Sequence, residues 1–346
     1  MTPNSPTLAD LGWSADFLRQ LDENDLADLI PARVSGVHRD RLSVLTEEGQ
    51  QLLTLPPEIG AGDVAVGDWV LAEPATVRAV RLLDRKSRIF RRAAGDVSRE
   101  QLIVANVDTV FLTTSCTEEF NEARLERYLA LAHAGGVPPV LVLTKADKTE
   151  NPAGYLDRLR AIAPAVPAVL LNARDEGAAD ALRPWCGKGQ TVAFLGMSGV
   201  GKSTLASALT GLDLDTGTVR EDDMKGRHTT TAREMHAIPG GGWLIDTPGM
   251  RELRLTDMAG GIDDVFAEIT GLAGECRFGD CSHGPEPGCA VQAAIAEGRI
   301  DAARLDRWKK LRAEDAAHAA TAAEKRRRGR SFAKLVKQAK KAKRPE

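Results

Sequence analysis

The sequence predicts a multidomain chain with an N-terminal OB-type β-barrel, a central circularly permuted P-loop α/β domain, and a C-terminal Cys/His-bearing region of helices and loops that ends in a basic tail. Three observations carry this prediction. Residues 32–83 hold five short apolar-alternating runs punctuated by Gly, Pro and Asp. From about residue 98, apolar runs alternate with helical stretches, and one run leads into Gly196-Met197-Ser198-Gly199-Val200-Gly201-Lys202-Ser203, a G-x-x-x-x-G-K-[ST] phosphate loop. Finally, Cys276, Cys281, His283 and Cys289 cluster amid Gly and Pro.

The 346 residues suffice for two or three domains, and 43% hydrophobic with 27% charged residues is ordinary for a soluble globular protein. The sequence has no apolar run long enough to span a bilayer and no signal-peptide layout at Met1–Asp10, so cytoplasmic residence is the expectation. The five cysteines do not suggest a disulfide scaffold. Charge is unevenly spread: residues 325–346 carry eleven Lys or Arg and one Glu, a local +10, which leaves −13 for the rest of a chain whose net charge is −3. A basic tail on an acidic body points to an anionic partner, most simply nucleic acid.

Taken in order, residues 8–30 (Leu8, Leu11, Trp13, Phe17, Leu18, Leu21, Leu26) form a short helical extension with an apolar face. Strand character follows at Arg33–Val37, Leu42–Leu45, Gln51–Thr54, Asp68–Leu71 and Val77–Val80, which suits a small barrel of the oligonucleotide-binding type. Arg85, Lys86, Arg88, Arg91 and Arg92 then flank Ile89-Phe90 as a candidate phosphate-contacting strip. Apolar runs at 103–105, 109–113, 140–143, 166–171 and 191–195 read as buried parallel strands, with a helix over Asn121–His133. Shorter strands at 234–238 and 243–245 flank Gly240-Gly241-Gly242. Beyond residue 265 come short helices, then an Ala-rich helix over 301–324 carrying Leu305, Trp308 and Leu311.

The phosphate loop lies between the strand Thr191–Leu195 and a helix beginning near Thr204. Its glycines let backbone N–H groups point at a β-phosphate, Lys202 reaches the β- and γ-phosphates, and the Ser203 hydroxyl suits Mg²⁺. Asp246-Thr247-Pro248-Gly249 ends a strand and has the Asp-x-x-Gly form, with Asp246 for Mg²⁺ through water and the Gly249 N–H for the γ-phosphate. Between them, Thr230 or Thr231 is expected to complete the Mg²⁺ shell when the terminal phosphate is present. Thr144-Lys145-Ala146-Asp147 caps the strand 140–143: the Asp147 carboxylate can accept two hydrogen bonds from guanine, and the Lys145 stem can cover the base. Adenine offers no such donor pair. Asn172-Ala173 has the form of a turn supporting the base. In ordinary GTP-binding domains the guanine-reading segment follows the other two motifs, whereas here it precedes them, so the domain reads as complete but circularly permuted.

Residue 250 is Met, which cannot orient an attacking water as a Gln can, so His228 is the local candidate for that role. The spacing C-x₄-C-x-H-x₅-C supplies three thiolates and an imidazole, the donor set of a closed, tetrahedral structural Zn²⁺ site.

With Val66-Gly67-Asp68-Trp69-Val70, Ala105-Asn106-Val107-Asp108, Phe120-Asn121, Arg124, Glu126-Arg127-Tyr128-Leu129 and Gly226-Arg227-His228-Thr229-Thr230-Thr231, these residues resemble the RsgA family of small-ribosomal-subunit biogenesis GTPases over residues 32 to about 315. The resemblance implies a cytosolic, monomeric GTPase without membrane attachment that binds GTP or GDP and the nearly mature 30S subunit through its rRNA. It also implies that the subunit stimulates hydrolysis and that the family's proposed catalytic histidine falls on His228. Gly199 occupies the loop position at which potassium-dependent relatives carry Asn. The expected division is a 1–31 extension, a 32–84 OB-fold barrel, an 85–97 basic linker, a 98–264 permuted GTPase domain, a 265–318 zinc-binding domain and a 319–346 basic tail. The alternatives are a GTPase of the same plan acting on another RNA or on the large subunit, and a zinc-stabilised RNA-binding protein whose nucleotide domain is passive.

Overall fold

The computed structural model describes residues 5–93, 96–214, 233–246, 258–317 and 319–320, with 91–93 and 96–100 described through their backbone alone. Among these, residues 5–90 and 102–246 make one compact unit, and 91–93, 96–101 and 258–320 make a second.

The first unit is built on one hydrogen-bonded sheet of eleven strands, part of which closes on itself. The closed part is the barrel: β1 (Ile30–Val37), β2 (Arg41–Thr46), β3 (Gly49–Thr54), β4 (Trp69–Glu73) and β5 (Arg78–Leu82). β1 pairs antiparallel with both β2 and β4, β2 pairs with β3, β4 pairs with β5, and β3 runs parallel to β5 at Thr54 and Arg78. This closes the strand order 1-2-3-5-4 of an OB-type barrel. Its interior is Ala32, Val34, Leu42, Val44, Leu53, Val70, Ala72 and Ala79, the inward alternates of each strand.

The open part has the order β10-β9-β8-β11-β13-β12. Its strands are β8 (Thr109–Ser115), β9 (Pro139–Thr144), β10 (Ala168–Leu170), β11 (Thr191–Gly196), β12 (Glu234–Ile238) and β13 (Gly242–Asp246). The first five in that order run parallel, and β12 returns antiparallel to β13. Every residue of β8 and β11 is buried, as expected of central parallel strands covered on both faces. Phe111, Val140, Val142, Val192, Phe194 and Leu244 pack with Leu205 and Leu209 of α5 (Lys202–Thr210) and with Leu182 of a 3₁₀ segment. α3 (Glu122–Ala134), capped by Asn121 accepting from the Arg124 N–H, packs beside α4 (Pro152–Ile162).

Two details differ from the sequence expectation. Residues 103–105 are no member of the parallel sheet: they end β7 (Asp96–Ala105), which pairs with β6 (Arg88–Ala93) in a separate two-stranded sheet. Their apolar run reflects burial under the barrel side of the unit, where Val104 bridges Val66. The basic strip is also corrected at two of its members. Arg85 Nε and Nη2 grip the fully buried Asp68 carboxylate, each at 2.7 Å, and Lys86 lies 3.5 Å from Asp108 and over the Phe17 ring, so these cations are engaged internally. The side chains of Arg91 and Arg92 lie outside the described residues.

The extension preceding β1, with α1 (Ala15–Leu18) and α2 (Glu23–Asp28), packs Leu11, Trp13 and Phe17 on Trp69, whose ring lies 4.8 Å from that of Trp13. The same extension reaches the open sheet, because Trp243 Nε1 donates to the Asp10 carbonyl at 2.7 Å and Lys188 pairs with Asp10. Barrel and open sheet are thus joined through the extension, through the Gly36–Glu234 pairing of β1 with β12, and through Arg33. The Arg33 guanidinium, 1% exposed, donates to the carbonyls of Leu11 and Asn106. Gly67 is required here: its φ is +94°, and a Cβ would stand 2.0 Å from the Ala105 carbonyl oxygen.

The second unit contains α6 (Ala259–Val265), α7 (Ala267–Ala273), α8 (Ala290–Ala296) and a helix over 302–317, arranged about the Cys/His loop.

Candidate functional site

The phosphate loop occupies the turn between β11 and α5. Gly196 is needed for close approach, since a Cβ there would meet the Thr113 carbonyl oxygen of β8 at 2.3 Å. Gly201, at the N-cap of α5, has φ +97° and lies against Ala173 and Thr144. The apolar Val200 is 2% exposed and pins the loop to the core. The first turn of α5, at Lys202, Ser203 and Thr204, follows directly on the loop, and a helix N-terminus so placed favours an anion. Lys202 Nζ donates to the Met197 carbonyl at 2.5 Å, which holds the ammonium across the loop that also contains Ser198 and Gly199.

The guanine-reading candidates come from the neighbouring strand ends. Thr144 closes β9, and its hydroxyl lies 2.6 Å from the Val200 carbonyl and 3.0 Å from that of Thr114. One buried side chain therefore links the segment 144–147 to the phosphate loop across β8. Lys145 follows in the left-handed conformation (φ +55°), which turns the chain sharply off the strand and into the 3₁₀ turn Ala146–Lys148. Asp147 presents a carboxylate whose side chain is 42% exposed, 3.4 Å from Lys148. Its charge, after burial, helps push the Cys116 thiol up to about 11, so Cys116 is an inert neutral thiol. Asn172 Oδ1 accepts the Arg174 N–H and its Nδ2 donates to Asp175 at 2.7 Å, which fixes the 172–175 turn beside Ala146 and brings Ala173 against Gly201. Asp246 ends β13, parallel to β11 and one strand from the phosphate loop. Thr144, Lys145, Asp147, Asn172, Ala173, residues 196–204 and Asp246 thus gather along the C-terminal ends of β9, β10, β11 and β13, the edge where open α/β sheets bind ligands. His228, Thr230, Thr231 and Gly249 lie outside the described residues, as do Thr247, Pro248, Met250 and the basic tail.

The second cluster lies in the second unit. The ligating atoms of Cys276, Cys281, His283 and Cys289 lie within 4.8 Å of one another. Cys276 Sγ is 3.5 Å from His283 Nδ1 and 3.9 Å from Cys289 Sγ, and Cys289 Sγ is 3.6 Å from that nitrogen. Donor bonds of about 2.3 Å from sulfur and 2.1 Å from nitrogen place tetrahedral edges at roughly 3.5–3.8 Å, so the residues fit a metal ion. Burial works against the Cys276 thiolate, but hydrogen bonds from the N–H groups of Ala290 and Val291 at the start of α8, with those from Cys289 and Cys281, together bring its pKa below the usual thiol value. His283, 7% exposed and at φ +56°, has its pKa lowered by burial and by Lys309, which keeps the imidazole neutral and able to ligate. Its carbonyl accepts from Gln292 Nε2 and Lys309 Nζ, both at 2.8 Å, which fixes the backbone behind the ligand.

Sequence reasoning missed the joint behind the nucleotide edge. Asn106, 2% exposed, donates from Nδ2 to the Gly67 carbonyl and accepts the Lys86 N–H, while Asp108 accepts the Thr191 N–H at the foot of β11. The strings Val66–Val70 and Ala105–Asp108 that carry the family resemblance are therefore structural fasteners. The mixture of Gly, Asn and Asp within buried runs was the available signal.

A parallel sheet with a phosphate loop after its central strand and the base-reading segment on an earlier strand defines a circularly permuted P-loop nucleotide-binding protein. Residues 82–256 match the family model described as RsgA GTPase. The chain is 55% identical over 319 residues to the Small ribosomal subunit biogenesis GTPase RsgA of Mesorhizobium japonicum, covering 91% of this chain and 92% of the relative. It is 47% identical to the Small ribosomal subunit biogenesis GTPase RsgA 2 of Vibrio parahaemolyticus, covering 96% and 92%. Among solved structures, YjeQ from Thermotoga maritima aligns with a TM-score of 0.61 at 25% identity, covering 82% of this chain and 97% of that one. YloQ, titled a circularly permuted GTPase, shares the fold with a TM-score of 0.58 at 23% identity, covering 83% and 94%. The chain belongs to the RsgA GTPase family.

Proposed function

We propose that this GTPase hydrolyses GTP to GDP and phosphate in step with late maturation of the small ribosomal subunit, which it engages through rRNA. The observation that carries the nucleotide reading is the 2.6 Å contact of the Thr144 hydroxyl with the Val200 carbonyl, which couples the base-reading segment to the phosphate loop despite their reversed order. In this reading Asp147 accepts the guanine N–H groups, Lys145 covers the base, and Asn172 with Ala173 supports its far side. The loop from Gly196 to Thr204 wraps the phosphates, and Lys202 stabilises charge as it develops on the γ-phosphate. Ser203 and Asp246, with Thr230 or Thr231, hold Mg²⁺, which neutralises phosphate charge when bound. Gly249 reads the γ-phosphate and His228 orients the attacking water. The Cys276, Cys281, His283 and Cys289 set holds one structural Zn²⁺, because a loop this short cannot bury a core of its own. The ribosomal reading rests on the names of the relatives and on the basic tail, whose +10 charge suits a phosphate backbone. The protein acts in the cytoplasm as a monomer, with barrel, nucleotide domain, Cys/His region and basic tail as its working divisions.

The test is calorimetry with GTP, GDP and ATP, followed by hydrolysis assays with purified 30S and 50S particles. GTP and GDP bind at least about a hundredfold tighter than ATP, and 30S alone accelerates turnover. Equal ATP affinity overturns the nucleotide reading, and stimulation by 50S rather than 30S overturns the choice of subunit.

A further inference from the structure

Within the second unit, beside the Cys/His cluster, lies a cavity of about 390 Å³ lined by α7, the Cys/His loop and the helix over 302–317. Its size falls in the range of small-ligand sites. We infer that this cavity takes one unpaired RNA nucleotide, with its base stacked on Phe278 and its phosphate facing Lys309 and Arg312. The inference rests on the rRNA reading above and adds to it a defined contact.

Three observations support it. Phe278 is a large apolar side chain left 46% exposed on this loop, and its ring is flanked by the Arg277 guanidinium at 5.4 Å. A base offers a π-face that stacks on such a ring whatever its sequence. Lys309 and Arg312 line the cavity together with Cys281, Ser282 and His283, and among the described residues no carboxylate lines it, so an occupant with an anionic group has two cations to meet. Arg312 lies 5.2 Å over the Trp308 ring while pairing with Asp263, which leaves a braced, partly exposed guanidinium. An acidic peptide meets the charge requirement but makes no use of the bare aromatic face.

The test uses the full zinc-loaded chain and a single-stranded decanucleotide RNA carrying one 4-thiouridine, crosslinked by long-wavelength light and mapped by mass spectrometry. Crosslinks at residues 278–283 or 308–312 are expected. Phe278→Ala reduces their yield and weakens small-subunit binding at least about fivefold, Phe278→Trp restores both, and neither changes basal GTP hydrolysis. Because Phe278 is exposed, both variants fold, which zinc content verifies. Crosslinks confined to other parts of the chain overturn the proposal, as does small-subunit binding unchanged by Phe278→Ala. Displacement of the crosslink by a poly-glutamate peptide as efficient as unlabelled RNA also overturns it. If small subunits fail to bind the wild-type chain, the ribosomal reading falls while the crosslink map still decides the pocket.

Discussion

At the scale of single residues, Thr144 does the work that the reversed motif order makes necessary. It stands where the common form of the motif has Asn, and its hydroxyl reaches two backbone carbonyls, Thr114 of β8 and Val200 of the phosphate loop. Replacement by Val keeps the shape and removes the donor. Losing a buried hydrogen bond of this kind costs roughly 0.5–1.5 kcal/mol, with more for the carbonyl left unpaired. Thr144→Val therefore weakens GTP binding about three- to tenfold with secondary structure and zinc content unchanged, as a fluorescent-nucleotide titration would measure. Asp147→Ala acts differently. In the proposed reading it removes the acceptor pair that separates guanine from adenine, so GTP affinity is expected to drop by two orders of magnitude or so toward that for ATP. The motifs themselves were legible because their chemistry demands fixed residue types at fixed spacing. Thr144's second role was not, since it depends on a carbonyl fifty-six residues away.

At the scale of elements, two fasteners invite measurement. Arg33 on β1 is buried, its guanidinium lowered by that burial to about 10, opposed by Asp108 and Asp68, so it stays charged at neutral pH. Arg33→Met leaves the carbonyls of Leu11 and Asn106 without their donor, at a cost of about 3 kcal/mol. For a unit of this size that lowers Tm by roughly 5–10 °C, visible in a thermal melt, while the nucleotide motifs are untouched. In the Cys/His loop, Glu286 accepts from the Ser282 hydroxyl and N–H and from the Gly284 N–H, bonds that pull its pKa down to about 2. A depressed carboxylate pKa contributes stability fully above the ordinary value near 4.5 and loses it as pH falls through about 2. Glu286→Gln therefore speeds zinc loss to a chelator severalfold, and the ratio to wild type stays constant from pH 7 to pH 5. A ratio that collapses over that interval contradicts this account. The five barrel runs and the parallel strands were visible in the sequence through period-2 and continuous apolar patterns. Residues 103–105 misled because burial against a neighbouring barrel produces the same apolar run as burial inside a parallel sheet.

At the scale of the whole molecule, the two units should respond separately to their ligands. A strong zinc chelator is expected to unfold the Cys/His loop while GTP affinity stays within about twofold of the untreated protein, as parallel zinc release and nucleotide titration would report. Removing residues 325–346 deletes +10 of charge from the sequence. RNA affinity then falls and its dependence on salt concentration flattens, each lost phosphate contact reducing the slope by about 0.7 on single strands. The order of barrel, nucleotide domain and Cys/His region was legible in the strand patterns and motifs, and the charge of the tail in composition. The extension at residues 8–30 was seen only as something that packs, because its partners, Trp69, Gly189 and Trp243, are scattered along the chain and no local pattern names them.

The placement of β11 between β8 and β13 has a consequence for biosynthesis. As the nascent chain emerges, β8, β9 and β10 are complete while the central strand beside β8 is still unmade. A ribosome stalled before residue 191 would hold a half-sheet with a long, apolar, unpaired border, the kind of surface that chaperones shield and that prompts aggregation.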